Sequence, residues 1–310
     1  MKGKTVVVTG GAGFIGSNLV RELFSENLVK IVDDISTGNL DNIKDIINEP
    51  NVRFLKGSIT DLKFLNNNFK NVDYVFHQAA IPSVPRSVKD PIKSNYANVN
   101  GTLNVLVAAR DNHVKKVVYA SSSSAYGDTP VLPKKEDMKP QPLSPYAVSK
   151  LVGEYYCNVF NEVYNLPTIA LRYFNVFGPR QDPTSDYAAV VPRFITRLLK
   201  GKSPVIYGDG NQTRDFTFVK DTVNANILAI ESDACGVFNI AGGRCISINE
   251  LSSIIMEIID IDIDVIHENS RPGDVRDSLA DITKASEEFG YKPTYNLKKG
   301  LNETVEWFKI

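Results

Sequence analysis

The chain has 310 residues, 43% of them hydrophobic and 23% charged, which excludes a disordered or collagen-like polymer. Lys and Arg number 35 against 36 Asp and Glu, and the net charge of −1 excludes a general electrostatic attraction to nucleic acid or to an anionic membrane. The length allows two domains, or one large domain with an appended lobe.

In chain order, residues 5–9 (TVVVT) read as a buried strand, and residues 14 to about 24 as a helix. Strands follow at 30–33, 52–56, 73–78 and 116–121, with a helical stretch at 99–109 between the last two. A long helix at 145–164 leads to a strand at 168–172. Strands apolar on both faces and separated by helices predict a parallel sheet covered on both sides, hence a doubly wound α/β fold. After Asn175 the rhythm changes. Residues 177–189 read as a long functional loop, followed by helical pieces near 192–199, 219–230, 248–259 and 298–308. Short extended pieces lie near 205–207, 237–240 and 264–267. The expected division is a dinucleotide-binding domain over 1–175, with returning elements at about 217–240, and a smaller C-terminal lobe, mainly substrate-binding, over 176–310.

Cys157, Cys235 and Cys245 lie far apart, as free thiols of a reducing compartment would. Neither they nor the three scattered histidines have metal-ligand spacing, so no metal is expected. No apolar run approaches the ~18 residues of a membrane helix. The apolar stretch after Lys2 and Lys4 is too short for a secretory signal. The expectation is a cytoplasmic protein with no membrane partner.

The first strand runs into Thr9-Gly10-Gly11-Ala12-Gly13-Phe14-Ile15-Gly16. Two glycine registers share Gly13 and Gly16, one starting at Gly11 and the other at Gly10. In either, glycines permit a tight turn and a close approach to a pyrophosphate, and the helix N-terminus offers unpaired N–H groups. Asp33 ends the second strand 17 residues after Gly16. A carboxylate there accepts hydrogen bonds from an adenosine ribose and repels a 2′-phosphate. No Arg stands beside it, so NAD is preferred over NADP.

Tyr146 and Lys150 form Tyr-x-x-x-Lys, a spacing that puts both on one helix face. A serine run, Ser121 to Ser124, follows the fifth strand, where carboxyl ends of strands meet the cofactor crevice. A tyrosine with pKa near 10 is a poor base, but a close lysine ammonium and a positive nicotinamide ring favour its phenolate. Tyr146 could then take a proton from a substrate hydroxyl that Ser122 also holds, while Lys150 also holds the cofactor ribose.

TGGAGFIG, SSSSAYG, YAVSK and RYFNVFGPR, with YGDGNQTRDF, RPGDVRDSLAD and GYKP further on, resemble the extended short-chain dehydrogenase/reductase superfamily, over nearly the whole chain. Its nucleotide-sugar epimerase/dehydratase branch is the most similar. The resemblance implies a UDP-sugar substrate and NAD. It places Gly10, Gly13, Phe14, Ile15, Gly16, Asp33, Ile59, Ala79, Ala80 and Phe174 around the cofactor, with Phe174 near the nicotinamide. On the substrate side it places Ser122, Ser123, Ser124, Asn175, Ala189, Val190, Tyr207, Arg214, Arg271, Asp274 and Ser278, the two arginines on the diphosphate. Ser58 and Asp34 depart from the branch, whose members often have Asp and Asn there.

Dehydratases of this branch resemble Thr-Asp-Glu where this chain has Ser122, Ser123 and Ser124, and decarboxylases usually have Glu at the last position. Serine without an activating partner is neither acid nor base at neutral pH. The expected reaction is therefore 4-epimerisation, with dehydration or decarboxylation as the alternative. Residues 177–183 and 187–192 resemble UDP-glucose and UDP-N-acetylglucosamine 4-epimerases. The family resemblance makes the residue at Ser278 a size gate, and a small side chain there implies that both sugar pairs are accepted. A homodimer is expected through 99–109 and 147–164. The second stretch carries apolar residues on more than one face, and the family commonly pairs these helices.

Overall fold

The computed structural model describes residues 1–184, 189–269 and 275–309. Thirteen strands run in chain order among them: β1 Thr5–Thr9, β2 Leu28–Asp33, β3 Val52–Lys56, β4 Tyr74–His77, β5 Lys116–Ser122, β6 Thr168–Tyr173, β7 Val176–Phe177, β8 Val205–Tyr207, β9 Thr213–Asp215, β10 Thr217–Phe218, β11 Gly236–Ile240, β12 Cys245–Ser247 and β13 Ile266–Glu268. The α-helices are α1 Phe14–Leu23, α2 Leu62–Asn68, α3 Val84–Lys89, α4 Pro91–Asn95, α5 Gly101–Asp111, α6 Pro145–Tyr164, α7 Val190–Leu199, α8 Val219–Glu231, α9 Ile248–Ile259, α10 Thr283–Phe289 and α11 Leu297–Phe308.

Seven strands form one parallel sheet in the order β11-β6-β5-β4-β1-β2-β3. The strand order reverses between β1 and β4, and that switch point is where open α/β sheets bind ligands, outside the carboxyl ends of their strands. Thr9 pairs with His77 there. The sheet is apolar on both faces because helices cover both. On one face α1, α8 and α10 bury Leu19, Val223 and Phe289 with Val6, Val8 and Ile31. On the other α2, α5 and α6 bury Leu65, Leu106 and Phe160 with Val7 and Val75. A third apolar cluster joins α7, α9 and α11 around Phe177 and Phe218, and Phe14 and Ile15 pack against it.

One expectation shifts. The helical pattern at 99–109 is the later part of a longer ascent: α3, α4 and a π-helical turn at Tyr96–Asn100 precede α5. The extended piece at 237–240, expected among the elements returning to the dinucleotide-binding domain, is an edge strand of the main sheet, five residues long and paired with β6. Its Asn239 N–H donates to the Glu136 carboxylate at 2.7 Å, which covers part of the edge.

Candidate active site

The glycine loop resolves the two registers. Gly10 is the left-handed residue, with φ +69°, and a side chain on it would meet the Ala79 backbone at 2.7 Å. A Cβ on Gly16 would lie 2.1 Å from the Gly10 carbonyl oxygen, so only glycine lets α1 start this close to β1. Gly13 caps α1 without a side-chain hydrogen bond, and no acid stands in the first turn. The unpaired N–H groups and positive dipole end therefore remain available to an anion. Asp33, at the end of β2, accepts the Ala12 N–H at 3.0 Å and the Ile35 N–H at 2.8 Å. Burial raises its pKa, and those two amides counter the rise. A dinucleotide thus fits these residues: an open helix N-terminus for the pyrophosphate and a carboxylate at the β2 tip for the ribose.

Ala79 and Ala80 follow β4, partly exposed, beside Gly10. The Ile59 side chain packs in the core, where a Cβ on Gly101 would touch it at 2.5 Å. Phe174 has no exposed surface and is buried among Tyr126, Ala241 and Ala280, with its ring centroid 6.1 Å from that of Tyr126.

Tyr146 opens α6, capped by Ser144, whose hydroxyl accepts the Ala147 N–H at 3.1 Å. The Tyr146 N–H donates to the Ser87 hydroxyl at 3.0 Å, which ties α3 to the start of α6. Burial raises the Tyr146 phenol's pKa, and the nearby Ser122 side chain pulls it the other way. In the free protein the phenol is therefore protonated at neutral pH. Lys150 stands one turn along, with Nζ 5.9 Å from the Tyr146 ring centroid and donating to the Ala120 carbonyl at 2.8 Å. Ser122 ends β5 and caps a 3-10 turn at Ser123–Tyr126, accepting the Ser124 N–H at 3.2 Å and the Ser124 hydroxyl at 2.9 Å. His77 is held between Thr9 and Thr102 at 2.7 and 2.9 Å, and burial, then the Lys150 charge, pushes its pKa down to about 3. It is a neutral structural imidazole.

Burial alone lowers the Lys150 pKa from 10.5 to about 8. At about 1.4 kcal/mol per pKa unit, holding this ammonium costs the fold roughly 3 kcal/mol at neutral pH. The unfolded chain keeps the proton up to about 10.5 and the native chain only to about 8, so this cost is complete below pH 8 and is relieved as pH rises through that window. Lys150→Met is expected to melt higher than the parent at pH 7 without cofactor, with the difference shrinking toward pH 10. Thermal melts across that range check it, and a lower-melting variant at pH 7 would contradict it.

On the substrate side, Asn175 donates from its amide to the Asp215 carbonyl at 3.0 Å. Ala189 caps α7 and Val190 begins it. Tyr207 lies under Arg193, whose guanidinium carbon is 5.1 Å from its ring centroid. Arg214 on β9 donates to the carbonyls of Thr213 at 2.8 Å and Arg276 at 3.1 Å. Ser278 is half-buried and donates its N–H to the Thr213 carbonyl at 3.2 Å, next to Arg214. Arg271 and Asp274 lie outside the described residues.

Sequence reasoning missed a buried network under the turn: Glu154, Arg172 and the Tyr126–Asn239 pair. Two signals were available. Glu154 extends Tyr146 and Lys150 by another step of four, and Arg172 is a lone charge near the end of an otherwise apolar strand.

This fold and site define a short-chain dehydrogenase/reductase of the extended type. Residues 6–241 match the NAD dependent epimerase/dehydratase family. A UDP-glucose 4-epimerase of Mycolicibacterium smegmatis is 40% identical over 308 residues, covering 98% of each chain. The solved UDP-N-acetylglucosamine 4-epimerase of Methanobrevibacter ruminantium M1, in complex with UDP-N-acetylmuramic acid, superposes with a TM-score of 0.97 at 47% identity, over 100% of this chain and 99% of that one. A Thermus thermophilus UDP-glucose 4-epimerase in complex with NAD gives 0.90 at 35% identity, over 98% and 99%. The chain belongs to the NAD dependent epimerase/dehydratase family; it is an enzyme, and its cofactor is NAD.

Proposed function

We propose that this protein is a 4-epimerase of UDP-hexoses, acting on UDP-glucose and UDP-galactose and on their 2-acetamido counterparts through a 4-keto sugar. The observation that carries the reading is the Tyr146 phenol next to the Ser122 side chain with Lys150 one helical turn away, set beside a serine at 123 and another at 124.

When bound, NAD would supply a hydride acceptor at sugar C4 and, once reduced, the hydride donor for its return. Gly10, Gly13 and Gly16 allow the α1 N-terminus to hold its pyrophosphate, and Asp33 its ribose. The Tyr146 phenolate oxygen takes the proton of the C4 hydroxyl, and Ser122 Oγ holds the same oxygen. The Lys150 ammonium favours the phenolate that burial alone disfavours. Neither Ser123 nor Ser124 supplies a carboxyl group for elimination across C5 and C6, which favours return of hydride over dehydration. Arg214 and Arg271 engage the diphosphate, a task suited to planar guanidinium groups. NMR of the protein mixed with UDP-glucose, and separately with UDP-N-acetylglucosamine, tests this. Appearance of the C4-inverted sugar supports it; a 4-keto-6-deoxy or decarboxylated product overturns it.

The working form on this reading is a homodimer. On α6, Val148, Tyr155, Val159 and Val163 form an exposed stripe while Ala147, Leu151 and Phe160 of the same helix are buried. The matching row precedes α5 rather than lying on it: Val88, Ile92 and Tyr96 are exposed, and Ile92 is 83% so. Seven apolar side chains at spacings of four or seven form a patch that monomers rarely expose. Light scattering at micromolar concentration is expected to give twice the chain mass, and Ile92→Lys with Val163→Lys the single mass. A monomeric parent protein rules the interface out.

A further inference from the structure

Glu154 and Arg172 are a buried ion pair, with side chains 2% and 3% exposed. The contact is bidentate: Arg172 Nε donates to Oε1 at 2.8 Å and Nη2 to Oε2 at 2.7 Å. Such a pair adds little net stability, because desolvating two charges offsets their attraction. What distinguishes this one is where its partners reach.

Glu154 Oε1 also accepts the Ser121 hydroxyl at 2.5 Å. Arg172 lies against Tyr126, its guanidinium carbon 4.5 Å from the ring centroid, a cation–π geometry. The Tyr126 hydroxyl in turn donates to Asn239 Oδ1 at 2.7 Å on β11. Ser121 and Tyr126 are the residues flanking 122–125, the segment that carries Ser122, Ser123 and Ser124. One ion pair therefore grips both ends of the serine turn. It does so from α6, the helix that also carries Tyr146 and Lys150, and from β6, which pairs with β5.

We propose that Glu154 and Arg172 are positioning residues that hold the 122–125 turn against α6, so that the Ser122 hydroxyl stays on the C4 oxygen that Tyr146 deprotonates. This rests on the assignment of Ser122 and Tyr146 above. Among the described residues the turn has no regular sheet partner beyond Ser122, which pairs with Tyr173 at the end of β5. Backbone bonds from Gln141 N–H to the Ala125 carbonyl at 3.0 Å and from Gly127 N–H to the Ser124 carbonyl at 3.2 Å shape the turn, and the ion pair ties its two flanks to α6 and β6. A catalytic hydroxyl displaced by about 1 Å costs up to ~10²-fold in rate, and the loss appears in kcat because the binding groups for the nucleotide lie elsewhere.

Ser121→Ala is the clean probe, because it deletes one link and leaves the ion pair intact. Steady-state epimerisation of UDP-glucose is expected to show kcat lowered about tenfold or more, KM changed by no more than about twofold, and an unchanged melting temperature. Glu154→Gln is expected to lower kcat further. If that variant does not fold, Ser121→Ala still decides. The same Ser121→Ala change is then made in a Ser122→Ala background. If the network acts through Ser122, the second change lowers kcat by no more than about twofold, since the hydroxyl it positions is gone. A full additional loss there, or an unaltered kcat in Ser121→Ala alone, overturns the proposal. If Ser122→Ala by itself leaves turnover unchanged, the reading of the catalytic site fails first, and this inference with it.

Discussion

Tyr146→Phe is expected to fold, to bind NAD, and to lose turnover by about 10²–10⁴, the usual contribution of a positioned general base. The ring stays, so packing at the start of α6 is preserved. The backbone N–H of residue 146 still reaches the Ser87 hydroxyl, and the Ser144 cap is untouched. What disappears is the phenol hydroxyl next to the Ser122 side chain. The nearest alternative, Tyr119, cannot replace it. Its hydroxyl faces inward and donates to the Lys150 carbonyl at 3.3 Å, and burial raises its pKa well above the ordinary value. Product formation followed by NMR, with NAD content and melting temperature measured on the same preparation, separates lost chemistry from lost cofactor. Near-normal turnover would remove Tyr146 from the mechanism.

Ser278→Tyr is expected to abolish turnover of UDP-N-acetylglucosamine while keeping UDP-glucose within about tenfold of the parent. The backbone at 278 is pinned, which prevents the segment from backing away from a larger side chain. Its N–H holds the Thr213 carbonyl, and the neighbouring Asp277 accepts the Thr213 hydroxyl at 2.6 Å and its N–H at 3.2 Å. Arg276 anchors the same segment to Asp209 through two contacts of 3.1 Å. A phenol added there has to project from a segment hydrogen-bonded to Thr213, beside Arg214. Exclusion discriminates more strongly than attraction, because a group that merely fits contributes only ~1–3 kcal/mol. The parent protein is accordingly expected to accept both sugar pairs. Equal turnover of both sugars by the variant, or no N-acetyl activity in the parent, would show that 278 is not the gate.

Much of the site was legible because its motifs are local. The glycine loop, the acid ending β2 and the Tyr146–Lys150 spacing each depend on a few neighbouring residues and on a strand-to-helix junction that hydrophobic periodicity reveals. The serine run was readable for the same reason: it ends a strand whose apolar pattern stops at Ser121. Absence of acids at 123 and 124 is likewise a fact of composition at known positions, and it narrows the chemistry before the fold is known.

Other features required the folded chain, because they join residues distant in sequence. Both glycine registers satisfy the same spacing, and only the left-handed φ of Gly10 and its contact with Ala79 choose between them. Phe174 is buried against Tyr126 and Ala280, 48 residues before it and 106 after. The apolar residues of α6 look alike in sequence; packing on the sheet buries Leu151 and leaves Val159 outside. Glu154 meets Ser121 across 33 residues and Arg172 across 18. The sequence by itself thus determined the glycine loop, the Tyr146–Lys150 spacing and the class of fold, since each is written in short-range spacing and periodicity. Only the tertiary structure decided which side chains face the crevice, which helix face is left open and what holds the serine turn in place, because burial and long-range hydrogen bonds depend on which distant segments share a neighbourhood.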